Sequence, residues 1–89
     1  MILYDWYTCM KLLACLHEKS GDQARAKVFL SESKRIVNHA EQFSISVETA
    51  EDVDKFKGLE GVDSTTLELL REFVTTGEMK LLKDLEGED

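Results

Sequence analysis

The chain has 89 residues, of which 43% are hydrophobic and 33% charged, and its net charge at pH 7 is −7. This length allows one compact domain, and this composition is typical of a folded protein and excludes a disordered chain. No apolar run approaches the roughly 18 residues that a membrane-spanning helix requires, so no membrane partner is expected. The apolar segment 1–16 is interrupted by Asp5 and Lys11 and lacks a basic start and a cleavage site, so we do not expect a signal peptide.

The charge is unevenly distributed along the chain. Residues 1–40 contain six Lys or Arg against four Asp or Glu, a net charge of +2, whereas residues 41–89 contain five against fourteen, a net charge of −9. Release of counterions drives much of DNA binding, and an acidic surface repels phosphates. The charge pattern therefore argues against strong DNA binding by the second half.

The two cysteines indicate the cellular compartment. Cys9 and Cys15 are six positions apart on one predicted helix, which separates them by roughly 9 Å at the helical rise per residue. That distance is too long for a disulfide. We therefore expect two reduced thiols and an intracellular protein, either nuclear or cytoplasmic.

The spacing of apolar residues predicts an all-α protein of four to five short helices, without a strand of useful length. The predicted helices cover about residues 3–18, 22–42, 50–57, 65–76 and 78–85. The N-cap of the fourth helix is left open between Asp63 and Ser64, in competition with a capping box formed by Thr65 and Glu68. Residues 1–85 are expected to form one domain and residues 86–89 a frayed acidic end. The predicted core contains Leu13, Phe29, Ile36, Val53, Leu67, Leu70 and Phe73.

Two segments carry a resemblance to a known family. The run Gly21–Leu30 is similar to a glycine followed by R-A-x-A-Y at the start of a second helix. The run Leu59–Leu85 parallels an L-P-G-V-G hairpin, a helix ending in E-F, and a T-G turn, here Thr76-Gly77. With the helix order, the chain resembles the N-terminal domain of family X DNA polymerases, the group of DNA polymerase beta. The resemblance covers nearly the whole chain and implies a helix-hairpin-helix element over about residues 50–77.

The resemblance also implies what the chain has lost. In active members a lysine forms a Schiff base with a 5′-deoxyribose phosphate and allows β-elimination. That lysine falls on Leu69, the second hairpin glycine on Asp63, a basic residue on Thr65, and a phosphate-pocket tyrosine on Phe29. The neighbouring Arg71 stays protonated and cannot replace the nucleophile. The resemblance thus implies no lyase, unless another lysine such as Lys27, Lys55 or Lys57 has taken over.

The residues expected to contact DNA phosphates are mostly cations of the second helix. Only Arg25 and Lys57 fall where the family keeps a positive charge. The alternative explanation of the four cations on the second helix is a solvated helix face. Asp63, as N-cap, would compete with a phosphate for the N–H donors beside Gly61. The candidate phosphate-binding residues are Arg25, Lys27, Lys34, Arg35, Lys57 and Gly61.

Other polar groups predict no chemistry. His17 and His39 are interpreted as single exposed histidines, and without further ligands at the right spacing no metal site or cofactor is expected. The acidic strip, which comprises Glu48, Glu51, Asp52 and Asp54, is either a solubility face or a docking site for a basic protein partner.

These observations favour a non-catalytic binding module of a DNA-repair or polymerase-like system, with at most weak, sequence-independent DNA binding. The alternative is a protein-interaction domain that uses the same helices and the acidic strip. The sequence leaves open whether the chain is a whole protein or one domain of a larger polymerase.

Overall fold

The computed structural model describes residues 2–87, which form five helices and no strand. The all-α prediction is therefore confirmed. The elements are α1 (Ile2–Lys19), α2 (Gln23–Gln42), a 3-10 helix (Ala50–Phe56), α3 (Ser64–Thr76) and α4 (Lys80–Glu86). Glu86, the first residue of the predicted frayed end, is the last residue of α4, and Glu88 and Asp89 lie outside the described residues.

Helices α1 and α2 form an antiparallel pair. The turn between them contains Gly21 at φ +97°, a left-handed conformation that glycine adopts without steric cost. Asp22 then caps α2 by accepting a hydrogen bond from the Arg25 backbone N–H at 3.1 Å. At the far end of the pair, the Tyr4 hydroxyl donates to Glu41 at 2.7 Å. Polar contacts thus hold the helix pair at both of its ends.

The core lies between α1 and the other helices. Side chains of α1 at helical spacing are buried, and they contact α2, α3 and α4. The fully buried side chains of α1 are Leu3, Trp6, Met10 and Leu13.

The predicted core is confirmed at five of its seven positions. Leu67 and Phe73 are only half-buried and pack against the edge of the core, whereas Leu69, which was not predicted as a core residue, is 8% exposed. The reason is the rotation of α3, which turns Thr66, Leu69 and Leu70 inward. Leu67 therefore lies on the flank of the helix.

The connection after α2 ends in a short helix that differs from the prediction. Residues 50–56 form a 3-10 helix, and the Asp52 carboxylate caps its start by accepting hydrogen bonds from the backbone N–H groups of Glu48 and Thr49, at 2.8 and 3.0 Å. Val53 reaches the core as predicted, and Phe56 is buried as well.

The start of α3 settles the competition between the N-caps. Asp63 is the N-cap and accepts from the Thr65 backbone N–H at 3.4 Å, so the helix begins at Ser64. The capping box predicted at Thr65 and Glu68 is wrong, because Thr65 already lies inside the first turn. The helix ends, as predicted, at Gly77, whose φ of +77° closes it.

Within residues 2–87, no helix combines the length and the apolar character needed to cross a bilayer.

Candidate nucleic-acid interface

The segment that resembles the hairpin is a glycine turn, defined here as residues 58–63. Gly58 and Gly61 both have positive φ, at +79° and +84°. Backbone hydrogen bonds from Leu59 to Phe56 and from Val62 to Leu59 tighten the turn. It leads directly into α3, and the N-terminus of a helix is a site where backbone N–H groups can bind a phosphate.

A buried carboxylate already occupies one of these donors. Glu32 of α2 is 8% exposed, and its Oε1 accepts from the Asp63 backbone N–H at 2.6 Å. The same oxygen accepts from the Thr66 hydroxyl at 2.9 Å. With Asp63, Glu32 places two carboxylates at the start of α3. The geometry therefore disfavours phosphate binding at Gly61.

Glu32 was missed by the sequence analysis, although the sequence contains a signal for it. It lies three residues after Phe29 and four before Ile36, on the apolar stripe of α2. A charged residue on a buried stripe requires a partner. The sequence alone does not show that this partner is the start of α3.

Gly61 has a structural role beside Arg35. A β-carbon added at Gly61 would lie 2.8 Å from Arg35 Nε and 3.1 Å from Arg35 Cζ, closer than such contacts allow. The Arg35 side chain therefore packs directly over the glycine turn. The positive φ favours glycine here, and a β-carbon would in addition displace the flexible end of the Arg35 side chain.

Arg25 lies on the opposite side of α2 from Lys27 and Lys34. Its Nε is 3.4 Å from Asp22 Oδ2, and it lines a groove of about 340 Å³ with Phe29, Asp63 and Thr65. The structure thus brings together four positions that the resemblance assigns to a phosphate pocket. One cation there faces two carboxylates, so the groove is not basic.

Lys57 forms an ion pair with a residue of the acidic strip. Its Nζ is 3.4 Å from Asp54 Oδ1, and Asp54 also accepts a hydrogen bond from Arg71. Partial desolvation raises the pKa of Asp54, but Arg71 and Lys57 outweigh it, so that pKa lies below its ordinary value. Lys57 is thus held by a carboxylate away from α2.

Much of the acidic strip is used within the fold. The pKa of Asp52 lies far below its ordinary value, chiefly because the Glu48 and Thr49 backbone N–H groups donate to its carboxylate. Its Oδ1 also lies 3.1 Å from Lys55 Nζ. Of the four residues, only Glu48 and Glu51 make no ion pair or side-chain hydrogen bond within residues 2–87.

The remaining predicted cations converge on the outer side of α1 and α2. Lys27 and Lys34, two helical turns apart, line a groove of about 520 Å³ with Tyr7 and Leu30. Lys11 of α1 lies over the same Tyr7 ring, with its Nζ 4.9 Å from the ring centroid. Sequence analysis gave Lys11 no role, because its proximity to Lys27 and Lys34 depends on how the two helices pack.

A second groove continues this surface toward the glycine turn. It has a volume of about 530 Å³ and shares Lys34 with the first groove. The groove is lined by Ser31, Lys34, Arg35, Asn38, His39, Gln42 and Leu59.

We call Lys11, Lys27, Lys34 and Arg35 the basic face. In the described part of the chain, none of the four forms an ion pair. Arg25, Lys55, Lys57, Arg71 and Lys83, by contrast, each lie within 3.4 Å of a carboxylate oxygen. The basic face therefore has four cations available to an external anion.

The histidines are not exposed, contrary to the prediction. His17 is half-buried against Phe29, with ring centroids 5.5 Å apart. His39 is half-buried between Phe43 and Phe56. Residues 2–87 contain no group of three or more His, Cys, Asp or Glu positioned to hold a metal ion.

Both cysteines are free thiols. Cys9 is half-buried, and burial raises its pKa, with Asp5 and Glu86 adding to the effect. Cys15 is exposed.

Comparisons with protein families, with curated proteins and with solved structures find no match to this chain.

Proposed function

We propose that the chain is a non-catalytic binding module of a DNA-repair or polymerase-like system. It contacts nucleic-acid phosphates weakly and without sequence preference through the basic face. The observation that carries this proposal is the convergence of four cations without ion pairs on the outer side of α1 and α2. In this interpretation α3 and the preceding 3-10 helix are a helix-hairpin-helix element that has a structural role.

The surface chemistry supports phosphate contact on this face. Lys27 and Lys34 border one groove, and Lys34 and Arg35 border the next, so the cations follow α2 along its length. Such a row suits an extended polyanion, which is contacted at successive phosphates.

The absence of lyase activity is part of the proposal. Leu69, which stands in place of the Schiff-base lysine, is buried in the core and carries no amine. Lys55 and Lys57, two of the lysines that could replace it, form ion pairs with Asp52 and Asp54 of the acidic strip.

The alternative function, protein binding through the acidic strip, rests on the exposure of Glu48 and Glu51. Because Asp52 and Asp54 serve internal contacts, this surface offers fewer free charges than the basic face. We therefore place nucleic-acid binding first.

A salt-dependent titration tests the proposal. Fluorescence anisotropy with duplex DNA should show binding at low salt that weakens steeply as salt is added. With about four phosphate contacts, log K against log salt should have a slope of about −3 to −4. An absence of binding at low salt would overturn the proposal in favour of protein interaction.

A further inference from the structure

An exposed aromatic ring lies beside the groove of about 530 Å³ that Lys34 and Arg35 line. Phe43, the first residue after α2, is 58% exposed, more than any other exposed large apolar side chain of residues 2–87. Its ring centroid lies 4.7 Å from that of His39, which lies 6.0 Å from the buried ring of Phe56. The three rings contact one another in tilted and edge-on arrangements, at interplanar angles of 49° and 68°, and Phe56 lies in the core. Phe43 is thereby held on a fixed support while much of its ring faces solvent.

The groove beside these rings is lined by polar and charged side chains. His39 lines it, together with the cations Lys34 and Arg35 and the carboxamides of Asn38 and Gln42. Aromatic rings bind planar rings by stacking, and guanidinium and ammonium groups bind phosphates. A ligand that uses all of these groups has a planar heteroaromatic ring attached to an anion.

We propose that Phe43, supported by His39, stacks on an unpaired base of a nucleic-acid strand whose phosphates contact Lys34 and Arg35. This inference rests on the proposed function, since it assigns the same cations to phosphates. It adds a preference, because bases in a duplex are stacked on one another and cannot lie against Phe43. The module therefore binds single strands, or unpaired segments of a duplex, more tightly than fully paired DNA.

The experiment compares two ligands with the same phosphates. One is a short oligothymidylate, and the other is an abasic oligonucleotide of equal length. We expect the protein to bind the oligothymidylate about tenfold more tightly at low salt, because the abasic oligonucleotide has no base that can stack on an aromatic ring.

Protein variants assign the effect to one ring. In Phe43→Leu both ligands should bind with the affinity of the abasic oligonucleotide, while Phe43→Tyr, which keeps the ring, should retain the preference. Leu12→Ala, at another exposed apolar position that is 43% exposed, should leave the preference unchanged. Circular dichroism should show that Phe43→Leu remains folded, since the side chain lies outside the core.

The outcomes separate this inference from the proposed function. Salt-dependent binding with equal affinity for the two ligands, or a preference that survives in Phe43→Leu, would overturn the stacking site alone. If neither ligand binds at low salt, the proposed function fails as well.

Discussion

Glu32 and Thr66 join α2 to α3 by a hydrogen bond inside the protein. The Thr66 hydroxyl donates to Glu32 Oε1 at 2.9 Å, and the two residues are 1% and 8% exposed. The same oxygen accepts from the backbone N–H of Asp63. One side chain of α2 thus connects α2 to the first turn of α3 and to the end of the glycine turn.

Removal of the Glu32 carboxylate should destabilise the fold. In Glu32→Ala the buried Thr66 hydroxyl loses its acceptor, which costs about 1–3 kcal/mol. Glu32→Gln should cost less, because its amide oxygen can still accept. Urea unfolding measures both, and Glu68→Ala, an exposed glutamate of α3, is the matched control. Equal stabilities of Glu32→Ala and Glu68→Ala would show that the contact contributes nothing.

The two glycines of the turn should differ in their tolerance of alanine. Both have positive φ, which costs an alanine roughly 1–2 kcal/mol. Gly58→Ala meets nothing within 4 Å, whereas Gly61→Ala meets the Arg35 side chain at 2.8 Å. We expect Gly61→Ala to lower the free energy of unfolding more than Gly58→Ala does.

The double variant Gly61→Ala with Arg35→Ala isolates the steric part of this loss. In thermal unfolding, Gly61→Ala should lower the melting temperature of the Arg35→Ala variant by less than it lowers that of the parent. If Gly61→Ala lowers both melting temperatures equally, the assigned contact is wrong.

Asp52 should make stability depend on acid. Its pKa is lower in the folded than in the unfolded protein, chiefly because the Glu48 and Thr49 backbone N–H groups donate to it. Such a carboxyl stabilises the fold above its unfolded pKa of about 4, and this contribution is lost as the pH falls through the folded value.

Unfolding of Asp52→Asn at several pH values tests this. The variant should be less stable than the parent at neutral pH, and the difference should shrink as the pH falls below about 4. Glu51→Gln, a neighbouring exposed residue, should show no such pattern. A difference that is constant with pH would exclude the ionised carboxylate as its cause.

A lysine introduced at position 69 should destabilise the fold without creating a lyase. Leu69 is 8% exposed within the core, so Leu69→Lys buries an amine and should cost on the order of 3 kcal/mol. Borohydride trapping on incised abasic DNA should give no adduct with either protein. A trapped adduct on any lysine would show that the chain is catalytic.

The sequence predicted the elements of this fold better than their orientation. Apolar spacing placed the helices, and Gly77 placed the end of α3, because these signals are local. The start of α3 was left open among Asp63, Ser64 and Thr65. The burial of Leu69 instead of Phe73 depends on the rotation of α3 against α1, which a single helix pattern does not fix. The contact between Glu32 and Thr66 likewise joins residues 34 positions apart.

The candidate site was predictable in composition but not in arrangement. Lys27, Lys34 and Arg35 were expected from the sequence and lie on one side of α2. Arg25, only two positions from Lys27, lies on the other side beside Asp22. Lys11 is added by the packing of α1 on α2, which sequence spacing within either helix cannot show.

Paired charge reversals show whether nucleic acid binds at the basic face. Lys27→Glu with Lys34→Glu removes two cations of the basic face, whereas Arg25→Glu with Lys57→Glu changes the net charge equally elsewhere. In a DNA titration across salt concentrations, the first pair should nearly abolish binding and lower the magnitude of the salt slope by about two. The second pair should bind with an unchanged slope and only slightly reduced affinity. If the Arg25→Glu and Lys57→Glu pair loses binding while the Lys27→Glu and Lys34→Glu pair retains it, nucleic acid does not bind the basic face and lies at the glycine turn instead.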